Sequence, residues 1–362
     1  MARTRASKKT KELPGATSSG PPRPTVGTTP AVLPSPLPAL ASLSALLDSF
    51  PARHVLVLGD LVADEYLYGQ TDRVSREAPV LVVRHESSEV KLGGAANAAA
   101  NARALGAEVT VVGALGEDAM GAELRRLFES AGIGLRAANA PATETKTRIL
   151  AGGINTTRQQ MLRVDRGNVP PLPAAAAAQL VEHLRAAAAE ADIILVSDYG
   201  LGVACEPVRA ELHRLAERTR VCVDSRSGLH SLAGFHTAKP NEPELQALTG
   251  VPVASDDALL RAGGEALELL ECQSVLVTRG RKGMALFEKS GPTSIPVHGA
   301  RDAVDVTGAG DTVMAAFSLA LAAGATALQA ALLANVAGAL VVQKQGTATV
   351  PLPELRAELE RG

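Results

Sequence analysis

The chain of 362 residues is 46% hydrophobic and 20% charged, which suits one large α/β domain of roughly 300 residues with a polar extension. Its formal net charge of -2 gives no global attraction to nucleic acid or an anionic membrane, so any bound anion must be held by local structure. No tryptophan is present, and the three cysteines (Cys205, Cys222 and Cys272) lie far apart without CxxC or Cys/His spacing; this excludes tryptophan stacking platforms, a disulfide framework and a zinc site, and fits a reducing cytoplasm.

Residues 1–38 begin with Arg3, Arg5, Lys8, Lys9 and Lys11 and continue rich in Pro, Gly, Ser and Thr. Such a segment cannot bury enough apolar surface to offset the entropy of ordering, so it is expected to be a disordered basic tail. It has no apolar run of secretory length, and no later segment gives about 18 uninterrupted apolar residues for a membrane span. The folded domain is placed at 39–362. Leu40 to Phe50 has the spacing of an amphipathic helix, and His54 to Asp60 reads as a buried strand ending in glycine.

Further strands are expected at 109–113, 193–198, 221–224, 274–278 and 285–287, alternating with helices at 97–105, 120–130, 174–190, 208–219 and 256–270. Alternation of this kind predicts a doubly wound, mostly parallel α/β sheet with right-handed crossovers. Residues 65–92 and 143–165 break the rhythm with short alternating stretches, which predicts hairpins forming a small β-sheet lid. Free edges on that lid predict a homodimer formed through it.

Ligand crevices in such sheets open at the carboxyl ends of the strands, where Asp60, Asp64, Ser197, Asp198, Asp224 and Thr278 fall. Gly93-Gly94-Ala95-Ala96-Asn97 follows the first lid segment and opens a helix, letting backbone approach a polar ligand beside an Asn with both donor and acceptor. Val304 to Thr312, which includes Gly308-Ala309-Gly310-Asp311, precedes an apolar, alanine-rich run. A glycine turn at a helix start aims amides and the positive dipole end at one point, which suits a phosphoryl group. Asp311 beside it has the place of a base that takes a proton from an attacking hydroxyl, although a helix cap explains the same local pattern.

Gly93-Gly94-x-x-Asn97 and Asp305-x-Thr307-Gly308-Ala309-Gly310-Asp311, at this separation in an alternating chain, resemble the two signatures of the ribokinase-like (PfkB) sugar kinases. More narrowly, Gly59-Asp60-x-x-x-Asp64-x-Tyr66, Arg73-x-Ser75-x-Glu77-Ala78-Pro79-Val80, Ser197-Asp198-Tyr199 and Lys344-x-Gly346-Thr347 resemble those that act on D-glycero-β-D-manno-heptose 7-phosphate. The resemblance implies Asp311 as base with Gly308, Ala309 and Gly310 as anion hole, and Asp64, Gly93, Gly94 and Asn97 as ligands of sugar hydroxyls. It implies ATP held by Asn241, Glu244, Thr278, Gly280 and Asn335, Mg²⁺ reached by Glu244 through water, and K⁺ at Asp305 and Thr307. It also implies a kinase without the nucleotidyltransferase to which many such relatives are fused.

A phosphorylated substrate needs cations for its non-reacting phosphate, and Arg73, Lys91, Lys146, Arg148 and Arg158 in the lid are candidates, Arg73 and Arg148 foremost. The chain departs from the narrower pattern at Leu201, where those relatives carry Lys, and at Asp224-Ser225-Arg226, where they carry Asp-Pro-Lys. A kinase of another sugar, sugar phosphate or nucleoside, and a sugar-phosphate sensor that has lost transfer, therefore stand as alternatives.

Overall fold

The computed structural model describes residues 37–153, 158–167, 171–226, 228–299 and 303–361. The tail expected at 1–38 lies almost wholly outside them. A nine-stranded sheet runs in the order β13-β12-β11-β10-β9-β8-β1-β4-β5, and a four-stranded sheet in the order β3-β2-β6-β7. The strands are β1 (His54–Gly59), β2 (Leu61–Val74), β3 (Leu81–Gly94), β4 (Glu108–Gly116), β5 (Gly134–Ala140), β6 (Glu144–Gly152), β7 (Gln159–Arg166), β8 (Ile193–Asp198), β9 (Arg220–Ser225), β10 (Thr237–Ala238), β11 (Ser274–Thr278), β12 (Met284–Glu288) and β13 (Gly291–Ile295). The α-helices are α1 (Ala95–Ala104), α2 (Ala119–Ala131), α3 (Ala174–Ala187), α4 (Glu206–Ala216), α5 (Glu242–Thr249), α6 (Asp256–Leu269), α7 (Ala309–Ala322), α8 (Ala327–Val341) and α9 (Leu352–Arg361).

From β5 to β11 the large sheet is parallel, and successive residues of β1 face opposite layers. Val55 and Val57 pack with α1, α7 and α8, while Leu56 and Leu58 pack with α3 and α4. Both faces are covered, which is why β1 and β8 are buried at every residue. The segment expected as an amphipathic helix at 40–50 is a 3-10 helix, Leu40–Ala52, that buries Leu43, Leu47 and Phe50.

The expectation of βα alternation fails at one edge. β11, β12 and β13 form an antiparallel meander, because the short turn Arg279–Gly283 leaves no room for the crossover that a parallel partner requires. The segments expected as a lid form the four-stranded sheet. Its two hairpins are joined by parallel pairing of β2 with β6, with Asp64 opposite Lys146.

Two features of topology place the site. β1 lies between β8 and β4, so the sheet reverses direction beside it and leaves a crevice at the carboxyl ends of β1 and β8. α7 then packs against α1 and carries its N-terminus to that crevice. Phe317, wholly buried at the middle of α7, anchors this helix. Phe317→Ala is expected to lower unfolding stability by about 3–5 kcal/mol, measured by urea denaturation followed by circular dichroism.

Candidate active site

Gly308 caps α7 in the left-handed region at φ 76°. A side chain there is doubly opposed, since a Cβ would also lie 2.5 Å from Asn97 Nδ2. The Ala309 amide donates to the Val306 carbonyl at 3.2 Å, whereas the amides of Gly310 and Asp311 have no acceptor among the described residues. The Gly308 amide likewise has no acceptor among the described residues, so of the expected donors Gly308 and Gly310 remain open, Ala309 is used, and Asp311 adds a third open amide.

The Asp311 carboxylate is buried between two donors. Asn97 Nδ2 donates to it at 2.8 Å and the Tyr199 hydroxyl at 2.7 Å. Burial pushes its pKa up to about 6, against the pull of those two hydrogen bonds, and the nearby Asp224 charge pushes the same way. Burial and the Asp311 charge raise the Tyr199 phenol well above its ordinary value, so it remains a donor. Asn97 is fixed in turn by Asn101, whose Nδ2 donates to the Asn97 carbonyl at 3.0 Å, and Asn101 Oδ1 accepts from the Thr312 hydroxyl at 3.0 Å. The link spans α1 and α7 and fixes the Asn97 side of the Asp311 carboxylate.

Beneath Gly310, the buried ammonium of Lys239 pairs with Asp224 at 3.0 Å. Asp60 organises the opposite wall. Its carboxylate accepts from the amides of Tyr199 at 2.7 Å, Leu201 at 3.1 Å and Val203 at 3.1 Å, and burial pushes its pKa up to about 6. The loop that carries Tyr199 is thereby hung from the end of β1.

On the acceptor side, Asp64 Oδ1 accepts from Arg148 at 2.5 Å, and Asp64 Oδ2 lies where a Cβ on Gly93 would stand, 2.5 Å away. Asp64, Gly93, Gly94, Asn97, Arg148 and Asp311 thus meet at the junction of lid and sheet. Arg73 is not brought there. It is exposed on β2, nine register positions beyond Asp64 and opposite Val82, roughly 30 Å of strand away.

A cavity of about 560 Å³ is lined by Thr278, Gly280, Asp305, Ala309, Gly310 and Asn335 among others, the residues expected to hold a nucleotide. Exposed Val304 and Val306 give it an apolar wall suited to a flat base. Asn335 Nδ2 donates to the Pro296 carbonyl at 2.8 Å, and its own side-chain carbonyl accepts from no described residue. Asn241 and Glu244 form a reciprocal capping box at the start of α5, each side chain accepting from the other's amide, at 2.8 and 2.9 Å. One Glu244 oxygen is consumed by it. Burial raises the Glu244 pKa against the pull of the Asn241 amide and the Lys239 charge.

Asp305 accepts from the amides of Thr307 at 2.9 Å and Gly346 at 2.9 Å. Burial would raise its pKa, but these bonds and the Thr307 hydroxyl hold it below the ordinary carboxylate value. Next to Gly346, the Thr347 hydroxyl is buried without a hydrogen-bond partner.

The sequence reading passed over three parts: Tyr199 as a partner of the base, Asp60 as the clamp on its loop, and the Lys239–Asp224 pair. A carboxylate at the end of a buried strand was the visible signal for Asp60 and Asp224. Tyr199 stands in the Ser197-Asp198-Tyr199 motif, but nothing local signals its bond to Asp311, 112 residues away.

A buried carboxylate set beside open amides at a helix N-terminus, with a cavity adjoining that helix start, fits a group-transfer site. Residues 52–355 match the pfkB family carbohydrate kinases, and the chain belongs to that family. Among similar proteins, the bifunctional protein HldE of Citrifermentans bemidjiense is 38% identical over 314 residues, 85% of this chain and 63% of that protein. The bifunctional protein HldE of Azorhizobium caulinodans is 40% identical over 85% of this chain and 64% of its own length. The chain thus spans less than two thirds of these relatives. The fold is that of Arabidopsis thaliana ribokinase complexed with ribose and ATP (TM-score 0.67, 23% identity, 85% of this chain and 99% of that one). Escherichia coli phosphofructokinase-2 in complex with substrates and products is similar too (TM-score 0.70, 18% identity, again 85% and 99%).

Asp311 must be ionised if it is to accept a proton. The rate of transfer is therefore expected to be flat above pH 7 and to fall roughly tenfold per unit below about pH 6, measured as kcat/KM against pH.

Proposed function

We propose that this chain is an ATP-dependent kinase that phosphorylates the anomeric hydroxyl of D-glycero-β-D-manno-heptose 7-phosphate. The observation that carries the reading is the Asp311 carboxylate, held by Asn97 and Tyr199 next to the open amides of α7. Its likeness to HldE proteins over most of the chain supports the choice of acceptor.

In this reading Asp311 takes the proton of the sugar hydroxyl as its oxygen bonds to the γ-phosphorus. The bond from that phosphorus to the β,γ-bridging oxygen breaks, and ADP leaves with the electron pair. The amides of Gly310 and Asp311 and the dipole of α7 stabilise the transferred group's charge, and buried Lys239 lies directly behind them.

The donor set fits the family's ions. No described cluster of three acidic or histidine ligands makes a closed metal cage, but Mg²⁺ keeps waters and phosphate oxygens as ligands and needs only the free oxygen of Glu244 nearby. Bound there, it would neutralise charge on the nucleotide phosphates. The unpartnered Thr347 hydroxyl beside the Asp305 loop fits a monovalent cation, with Asp305 and Thr307 on the same loop.

With ATP and Mg²⁺, the heptose 7-phosphate is expected to be turned over in preference to ribose, fructose or adenosine. Asp311→Asn should lower kcat by about 10²–10⁴-fold with nucleotide affinity retained, and chelation of Mg²⁺ should abolish transfer. Faster turnover of another acceptor would assign a different member of the family. Equal activity of the variant would remove the base assignment.

We also propose a homodimer through the lid. β7 is an edge strand exposed along its whole length, and Val80, Leu81 and Leu162 add exposed apolar surface to the same sheet. Sedimentation at micromolar concentration is expected to give twice the chain mass; a monomer there rejects this interface.

A further inference from the structure

The lid is rich in cations; Arg73 and Arg76 are exposed toward its far end, and those nearer Asp64 are mostly paired. Lys91 pairs with Glu89 at 3.3 Å, Arg148 with Asp64 at 2.5 Å, Arg158 with Glu86 at 2.6 Å, Arg163 with Asp165 at 2.8 Å and Arg166 with Glu65 at 2.9 Å. Lys146 has no carboxylate partner among the described residues. Its two register neighbours, Asp64 on β2 and Asp165 on β7, are held by Arg148 and Arg163. Arg226, just past β9, likewise pairs with no carboxylate among the described residues; Asp224 beside it is held by Lys239.

Both cations converge on one aromatic ring. Lys146 Nζ lies 5.1 Å from the Tyr199 ring centroid and Arg226 Cζ lies 4.4 Å from it, while the hydroxyl of that ring donates to Asp311 at 2.7 Å. Two like charges brought together from separate elements, one on the lid and one on the main sheet, repel each other. Attraction to a single ring does not account for leaving both without a counter-ion. Burial, and then the Arg226 charge, hold the Lys146 ammonium below its ordinary pKa, as expected of a cation set without its anion. Neither Lys146 nor Arg226 lines the cavity that includes Gly310, and Lys146 stands opposite Asp64.

We propose that Lys146 and Arg226 together bind the phosphate that the acceptor sugar already carries, so that the pair selects a sugar phosphate over the free sugar. This rests on the kinase reading given above. With the reacting hydroxyl at Asp311, the sugar spans the Tyr199 ring and its far phosphate lies between the two cations. Arg226 supplies a planar fork suited to phosphate oxygens and Lys146 a point charge. One comes from each wall of the cleft, so binding the phosphate also draws the lid toward the sheet.

The test is calorimetric binding of D-glycero-β-D-manno-heptose 7-phosphate, of the free heptose and, separately, of a non-hydrolysable ATP analogue. Wild type is compared with Lys146→Gln, Arg226→Gln and the conservative Arg226→Lys, with thermal melting as the control for folding. Each Gln variant is expected to bind the heptose phosphate roughly 10- to 100-fold more weakly, with the free heptose and the ATP analogue unaffected and Arg226→Lys in between. Equal losses for phosphate and free sugar, or no loss, overturn the proposal. A loss confined to the ATP analogue overturns it too, assigning the cations to the transferred phosphoryl group. If wild type binds the free heptose as tightly as its phosphate, the proposal falls while turnover of the free sugar leaves the kinase reading standing. Binding of neither sugar removes both.

Discussion

The structure turns on how one carboxylate is held. Asp311 is buried at the first turn of α7, where the helix dipole favours negative charge but the loss of water opposes it. Asn97 from α1 and Tyr199 from the loop after β8 offset part of that loss, and neither donor can be moved without moving a whole element. The raised pKa of about 6 means that ionisation at neutral pH costs on the order of 3 kcal/mol relative to an unfolded aspartate. The sign is the reverse of that for a salt-bridged acid: this group withdraws stability as pH rises from about 4 to 6. The α1–α7 contact and the buried core around Phe317 must supply it.

Asp60 repeats the theme one layer out. It is also buried and also raised to about 6, and its three amide partners all belong to the loop that bears Tyr199. Leu201 contributes only its amide to this arrangement, so an apolar side chain at that position leaves the clamp intact. The cationic charge on this side of the cleft comes instead from Lys239, Lys146 and Arg226.

Much of the fold could be read in advance because most strands are buried on both faces and stand out as continuous apolar runs such as Val55-Leu56-Val57-Leu58 and Ile193-Ile194-Leu195-Val196. What escaped lacks that signature. β5 is a half-exposed stretch with no β-branched residue, β10 is only Thr237–Ala238, and β13 alternates Gly, Pro and Thr at an antiparallel edge. In the site, the glycine turn and Asp311 were legible because amide convergence is a local backbone property. Tyr199 and the Lys239–Asp224 pair were not, because their meaning arises only when β8, β9 and α7 are packed. Arg73 is the reverse case: its motif is local, but strand geometry carries it out along the small sheet, away from Asp64.

The lid has one more consequence. Its sheet is stitched from two stretches of chain that enter and leave the main body separately, and β2 and β6 meet side by side in the same direction. Neither hairpin can be exchanged for that of another protein without tearing the seam between them. Any transplant that seeks to change acceptor preference must therefore carry both pieces at once, Asp64 with Arg148 and Lys146, as a single matched cassette.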